Sequence, residues 1–471
     1  MRKITQERQK QYPDDYSTLN LMAAAYLGLG QRAKAQEVFK KVLITVPGNS
    51  FASGALGAIE MDKGENKAAR LIYDKALEKN PGHVGIILQL AKIELREGRF
   101  DKLQAILRDV IQEHPTNIEP YRMLAAAYLL NNQAKKASEL LKEALIKAPN
   151  NPSLLNLQGE SELALNQVGK AVEVFQALTE NQPQSIHAHF MLALSYAKSN
   201  NKNKLKEQIG KVLELAPNHG EAKILLLRLA FKDGNVKKAH KLMDELKQAY
   251  PNNPQVLAQE GWLAEQQKNP EKAIEAYQAA LKIKPNSPQL IRHLAAAQFF
   301  IGNKKEAFEI LSSWLSNHPE DLEMFLMRGR LYHQNGQIKL AVKDFDVVLQ
   351  KNPDQALLLN NLAWMLRQSD RQQALKYAEY AFRLTPNDPA VMDTLGVLLM
   401  DSNEIKRSLV LISKAVEKMP KNPQVRFHLA LSQKRNGQNV AAVNTLKALL
   451  RGDLNFPERA DAQLLLKKLS K

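Results

Sequence analysis

Cysteine is absent from the 471 residues, which excludes disulfides, thiolate metal ligands and cysteine nucleophiles. That absence suits cytoplasm and periplasm alike. No apolar run approaches the ~18 residues that a membrane-spanning helix needs, although 44% of the chain is hydrophobic. No segment sustains the apolar–polar alternation of strands, so the chain reads as all-helical. The short signatures of chemistry are missing too: no Walker loop, GxGxxG, GxSxG or HExxH string occurs. The ten histidines are scattered without ligand spacing. His187 and His189, two apart, point to different helix faces, and His114 and His318 each precede a proline at a helix end. The carboxylate pairs Glu160/Glu162 and Asp344/Asp346 read as charged helix surface. Neither an enzyme nor a metal or cofactor site is expected.

Acidic residues are also short in supply, 49 against 66 lysines and arginines, giving a formal charge of +17. Residues 16–49 carry four basic against one acidic residue, residues 186–253 twelve against six, and residues 423–471 nine against three. Residues 152–185 run the other way, one against four. Such runs form either solvated lysine-rich helix faces or a surface for an anionic polymer or membrane headgroups. No helix-turn-helix, zinc finger or RNP-like aromatic motif accompanies the charge, so specific nucleic-acid recognition is not expected.

What the chain does have is a ruler. Proline falls at 13, 47, 81, 115, 149, 183, 217, 251, 285, 319 and 353, an unbroken interval of 34 residues, and continues at 386, 420 and 457. A constant period of this size means stacked units rather than one core, and a stack of units has no upper size limit. With the periodic proline at position 32 of each unit, the first full unit begins at Tyr16. Position 8 is then Gly or Ala in every unit but one, from Ala23 and Gly57 to Gly396 and Ala430; Leu227 is the exception. Position 20 is mostly Ala, as in Ala35, Ala69, Ala273 and Ala341. Small residues at these points let two antiparallel helices approach closely, while Tyr26 with Phe39, or Tyr332 with Phe345, fill the space beside them. Position 15 is usually Gly or Asn, which tolerate the left-handed conformation that closes a helix; Lys268 and Asp370 depart from this. The proline at position 32 stops the second helix. Pro152, Pro254, Pro288, Pro389 and Pro423 open first helices, where a missing N–H costs nothing.

The small, aromatic and proline pattern of one unit, Gly329, Tyr332, Ala341, Phe345 and Pro353, resembles the tetratricopeptide (TPR) repeat consensus. The resemblance covers residues 16–456 as thirteen units, the eleventh one residue short around Asp370 to Gln373. It implies an α-solenoid, a right-handed superhelix of about thirteen helix-turn-helix repeats. Residues 458–471, ERADAQLLLKKLSK, form an amphipathic helix after Pro457 whose Ala462, Leu465, Leu466 and Leu469 can cap the last unit (457–471). Residues 1–15 end in the periodic proline without a preceding first helix. They read as an orphan second helix, which suggests descent from a longer array; the alternative is a simple N-terminal cap.

In TPR arrays the first helices line a concave face through positions 2, 5, 9, 12 and 13; this is what the resemblance implies. The candidate partner-binding residues are then Phe190, Lys198, Arg228, Phe231, Trp262, Arg292, Phe299, Arg330, His333, Asn360, Trp364 and Arg367. Aromatics beside arginine anchor partners and suit stacking on sugars; packing between helices is the other use for them. The lysine–asparagine clamp of co-chaperone TPRs is not present, since Lys92 stands where that family has asparagine. The strings LLLNNLAWMLRQ (357–368), ALKYAEYAFRLTPNDPAVMDTLGVLLM (374–400) and VRFHLALSQKRNGQ (425–438) are similar to the end of bacterial TPR-repeat lipoproteins associated with exosortase (PEP-CTERM) systems and exopolysaccharide production. Two departures stand against it: the lipid-accepting cysteine is absent and the array is short. The expected function is a non-enzymatic scaffold for protein partners in bacterial envelope assembly or exopolysaccharide export. The alternatives are a binder of anionic polysaccharide and a substrate-recognition module of a larger enzyme. The resemblance implies a periplasmic or outer-membrane-associated location, whereas a native start at Met1 implies a cytoplasmic one.

Overall fold

The computed structural model describes residues 15–451 and 456–470. The expected orphan helix over 1–15 therefore lies outside the described residues except for Asp15, as do residues 452–455 ahead of Pro457. Among the described residues there are twenty-seven α-helices and no strand. They follow one another as thirteen consecutive pairs from Tyr16, numbered here repeats 1 to 13, and one further helix, Arg459–Leu469. First helices run 13 residues and second helices 14. The exceptions are the first helix of repeat 11, Ala356–Leu366 with 11 residues, and the second of repeat 13, Asn439–Leu450 with 12. No described helix is long and apolar enough to cross a membrane.

By internal contacts the chain divides into two compact units, one ending at Ala249 and one starting at Tyr250. The first holds repeats 1 to 7 and the second repeats 8 to 13. Within each, every second helix packs on the first helix of the next pair, so the core is a continuous filling between pairs. One stretch of it runs from Leu88 through Leu107, Tyr121 and Leu141 to Leu154. At the far end Ala462 and Leu465 of the last helix pack with Leu446, Leu449 and Phe456.

The small positions lie where the chain crosses itself. Ala35, Ala69, Ala137, Ala273 and Ala341 are all fully buried, as are Ala23, Ala91 and Ala125. Glycine at position 8 goes with a large side chain sixteen residues on. A Cβ on Gly57 would lie 2.2 Å from the Tyr73 ring, on Gly159 2.4 Å from Phe175, on Gly261 2.5 Å from Tyr277, and on Gly329 2.6 Å from Phe345. Where position 24 is leucine, as at Leu107, Leu141 and Leu311, position 8 is alanine. Repeat 1 departs from this, with Ala23 in the unit of Phe39.

The turn between the helices of a pair closes in one way. In repeat 1 the Gly30 N–H donates to the Leu27 carbonyl at 2.9 Å, and the Gln31 N–H to Tyr26 at 2.9 Å. This is the Schellman arrangement, which needs a left-handed residue at position 15. Twelve repeats have one there, from Gly30 at φ 73° to Gly437 at φ 77°. Repeat 11 does not: with one residue fewer, Asp370 is extended at φ −146° and caps the second helix by accepting from the Gln373 N–H at 3.0 Å. Lys268 takes the left-handed conformation at φ 57° without the freedom of glycine. Lys268→Gly is accordingly expected to stabilise the protein by about 1 kcal/mol, read as a higher urea midpoint.

The turn between one pair and the next carries a signal that sequence reasoning missed. The residue before each first helix is Asp, Asn, Ser or His in twelve of the thirteen repeats, Gln355 being the other. In eleven its side chain caps the helix, as when Asn49 Oδ1 accepts from the Ala52 N–H at 2.9 Å and Asn151 Oδ1 from Leu154 at 3.1 Å.

Candidate functional site

Within each unit the first helices form the tighter layer. Ser50–Asp62 touches Val84–Arg96, and Ile118–Leu130 touches Pro152–Ala164. In the second unit Pro288–Phe300 touches Leu322–Gln334, and Pro389–Asp401 touches both Ala356–Leu366 and Pro423–Arg435. Second helices make no comparable contact with one another among the described residues. The first helices, which carry the expected concave-face positions, are thus the more closely spaced layer within each unit.

Repeats 11 to 13 show this most clearly. The Trp364 ring of repeat 11 lies 6.0 Å from the His428 ring of repeat 13, reaching past repeat 12. Beneath them the helix Pro389–Asp401 is buried from Val391 to Met400, including Asp393. A helix buried on every side needs its one mid-helix charge paired. His428 Nδ1 supplies the partner, 2.9 Å from each Asp393 carboxylate oxygen. Arg367, one turn beyond Trp364, stacks 5.0 Å from its ring and donates from Nε to Asp401 at 2.8 Å. Asn360, one turn before Trp364, is 9% exposed, and its Oδ1 is buried without a hydrogen-bond partner. Trp364 itself stays 38% exposed. The ensemble is a fixed aromatic surface beside an unsatisfied amide, its charged neighbours already locked in pairs.

The other expected site residues divide between exposed positions and positions already engaged in contacts. In the first unit Phe190 is half-buried, 5.0 Å from the His219 ring. Lys198 is exposed, but its Nζ lies 3.4 Å from the Leu163 carbonyl at the end of the preceding first helix, where a cation favours the helix dipole. Arg96 makes the same reach to Met61 at 2.6 Å. Arg228 is exposed and Phe231 half-buried. In the second unit Trp262 is half-buried, and Arg292 pairs with Glu323 of the next repeat. Phe299 is half-buried in an aromatic cluster, 6.0 Å from Phe308, which stacks 4.3 Å from Tyr332. Its neighbour Phe300 is the one left 77% exposed. Arg330 and His333 are exposed. Within the set, Asn360, Trp364 and Arg367 are brought together on one helix face. Sequence reasoning missed Asp393, Asp401 and His428. The available signal was the lone carboxylate inside the apolar string VMDTLGVLLM.

Two carboxylates expected on the surface are corrected by the structure. Glu162 is 1% exposed, accepting from Ser138 Oγ at 2.8 Å and Gln158 Nε2 at 2.5 Å. Asp344 is 3% exposed and takes both prongs of Arg328, at 2.8 and 2.7 Å. The reason for Glu162 is a polar ladder between repeats, in which position 11 meets position 21 of the preceding second helix. Gln36 donates to Glu60 at 2.7 Å, and Tyr128 to Gln104 at 3.1 Å. Arg70 sits 2.6 Å from Glu94. Burial pushes the Glu94 carboxyl up, but hydrogen bonds from Arg99 and Arg70 outweigh it and hold the group below the usual carboxylate range. His318 does decorate a helix end, with Nδ1 3.1 Å from the Trp314 carbonyl. His187 and His189 turn to different partners, Asn156 at 2.7 Å and Gln208 at 2.8 Å. No group of three or more metal-ligating side chains exists among the described residues.

Two family profiles, each described as Tetratricopeptide repeat, match the chain. One covers residues 94–161, 206–260 and 264–331, the other residues 20–84, 156–204 and 326–389. A TPR repeat-containing protein of Pseudomonas aeruginosa is 26% identical over 128 residues, which is 27% of this chain and 22% of that protein. The chain thus spans less than a quarter of this relative's length. Among solved structures, a tetratricopeptide repeat protein from Parabacteroides merdae is 18% identical with a TM-score of 0.40, covering 46% of this chain and 85% of that one. A human IFIT1 dimer with m7Gppp-AAAA is 16% identical with a TM-score of 0.46, covering 79% and 90%.

Proposed function

We propose that this chain, which belongs to the tetratricopeptide repeat family, is a non-enzymatic scaffold that holds a protein partner against the inner layer of its first helices. The observation that carries the reading is the cluster in repeats 11 to 13. A half-exposed tryptophan held by a stacked arginine loses little freedom on binding, which is the behaviour of an interface anchor. The neighbouring Asp393–His428 and Arg367–Asp401 pairs fix the shape of the site and leave no strained nucleophile or open metal position.

The setting we favour is bacterial envelope assembly or exopolysaccharide export, which rests on the similarity of residues 357–368, 374–400 and 425–438 to the lipoproteins named above. Binding of an anionic polysaccharide, and service as the substrate-recognition part of a larger enzyme, remain second and third readings with no residue cluster of their own.

The test is a photo-crosslinking side chain placed at position 364 and, separately, at position 146, where Ile146 is 81% exposed on a second helix. Exposed to lysate of the source cells, the first is expected to give a discrete protein adduct that Arg367→Ala weakens, and the second none. Equal labelling from both positions, or no adduct from 364, contradicts the reading.

A further inference from the structure

Between repeats 6 and 7, wholly inside the first unit, a cleft of about 210 Å³ opens at the ends of the first helices. Its walls are Leu205, Leu225 and Leu229, and its lining includes Lys202, Arg228 and Lys232. Ligand sites for whole small molecules run to ~300–1,000 Å³; this one has the scale of a single apolar side chain. The surrounding residues 186–253 carry twelve basic against six acidic residues. At the mouth one carboxylate, Asp233, is shared by Lys202 at 2.6 Å and Lys206 at 2.8 Å. Their hydrogen bonds lower its carboxyl to about 2, so it stays ionised at every working pH. Lys232 donates only to a neutral group, Asn200 Oδ1 at 3.2 Å. The mouth is thus cationic and the floor apolar.

We propose that this cleft receives an acidic polypeptide segment bearing one apolar residue among its carboxylates. The apolar side chain enters between Leu205, Leu225 and Leu229, and the flanking carboxylates meet Lys202 and Lys232. Charge complementarity selects the acidic segment, and the leucine walls select against a purely polar polymer, which would leave them unfilled. The inference rests on the reading that the inner layer binds polypeptide, and it names the chemistry of a partner segment at the edge where that layer meets the second helix Lys202–Leu215.

The experiment uses the full chain and a fluorescein-labelled peptide of aspartates and glutamates around one leucine, followed by anisotropy. Three further probes run beside it: the same peptide with serine for leucine, polyglutamate, and alginate. The leucine peptide is expected to bind, and to weaken about tenfold between roughly 50 and 300 mM salt. Lys202→Glu together with Lys232→Glu should weaken it about tenfold or more, with the helical circular dichroism unchanged. Lys305→Glu, at a side chain 92% exposed in repeat 9, should change nothing. Equal binding of the serine peptide or polyglutamate overturns the apolar anchor, equal binding of alginate overturns the polypeptide, and unaltered binding by the double variant overturns the location. Loss of peptide binding while the position-364 adduct survives removes this cleft alone; loss of both removes the scaffold reading.

Discussion

Gly159→Ala is expected to destabilise the first unit by about 3 kcal/mol, at the upper end of the overpacking range. The added Cβ would sit 2.4 Å from Phe175 Cζ and 2.6 Å from two neighbouring ring carbons. Phe175 is fully buried, so its ring has no solvent to turn into, and the two helices must separate. The same chain shows the remedy: repeats 3, 4 and 9 combine alanine at position 8 with leucine at position 24. Gly159→Ala with Phe175→Leu should therefore recover more than half of the loss. Urea denaturation of the two single variants and the double variant measures the coupling. Additive losses would mean that the glycine–aromatic pairing does not set the distance between helices.

Asp344→Ala is expected to cost about 3 kcal/mol, because it strands a charge that burial keeps from water. Arg328 gives both guanidinium prongs to Asp344 and a third hydrogen bond to Ser312 Oγ at 2.9 Å. Its side chain is 16% exposed and that of Asp344 4%. A guanidinium keeps its charge at every working pH without a partner, so Arg328 stays charged when the carboxylate is gone. Arg328→Met with Asp344→Leu, removing both charges, should be close to neutral. A thermal midpoint for Asp344→Ala equal to that of the parent would show that the pair is solvated after all. Asp233→Ala offers the contrast: that carboxylate bridges two lysines at the surface, where such pairs contribute little.

How much of this could be read from the sequence depends on the range of the interaction. The prolines, the small crossing residues and the left-handed turn positions are local necessities of a helix pair, so they recur in the letters and in the structure at the same places. Asp370 shows the same locality in reverse: one deleted residue removed the left-handed turn position and made that aspartate a helix cap. The division between Ala249 and Tyr250 was not legible, because the 34-residue interval runs through Pro251 unbroken; the interval records unit length and not how densely units pack.

The site divides in the same way. Asn360, Trp364 and Arg367 lie a turn apart on one helix face, so their clustering could be foreseen. Asp393 and His428 are 35 residues apart, and their pairing depends on how tightly three repeats curve. Phe299 was expected to bind because its position faces inward; its edge contact with Phe308, the aromatic at position 21 of its own repeat, depends on the second helix and was not legible. Glu162 and Asp344 looked like surface because their partners, Ser138 and Arg328, lie on another helix.

The central claim is that recognition occurs on the first-helix layer, and hydrogen exchange with and without the partner captured at position 364 tests it most directly. The account predicts slowed exchange in Leu322–Gln334 and Ala356–Leu366, with the second helices Ile338–Lys351 and Arg371–Leu384 unchanged. Slowing confined to those second helices, with the first helices unaffected, would contradict it.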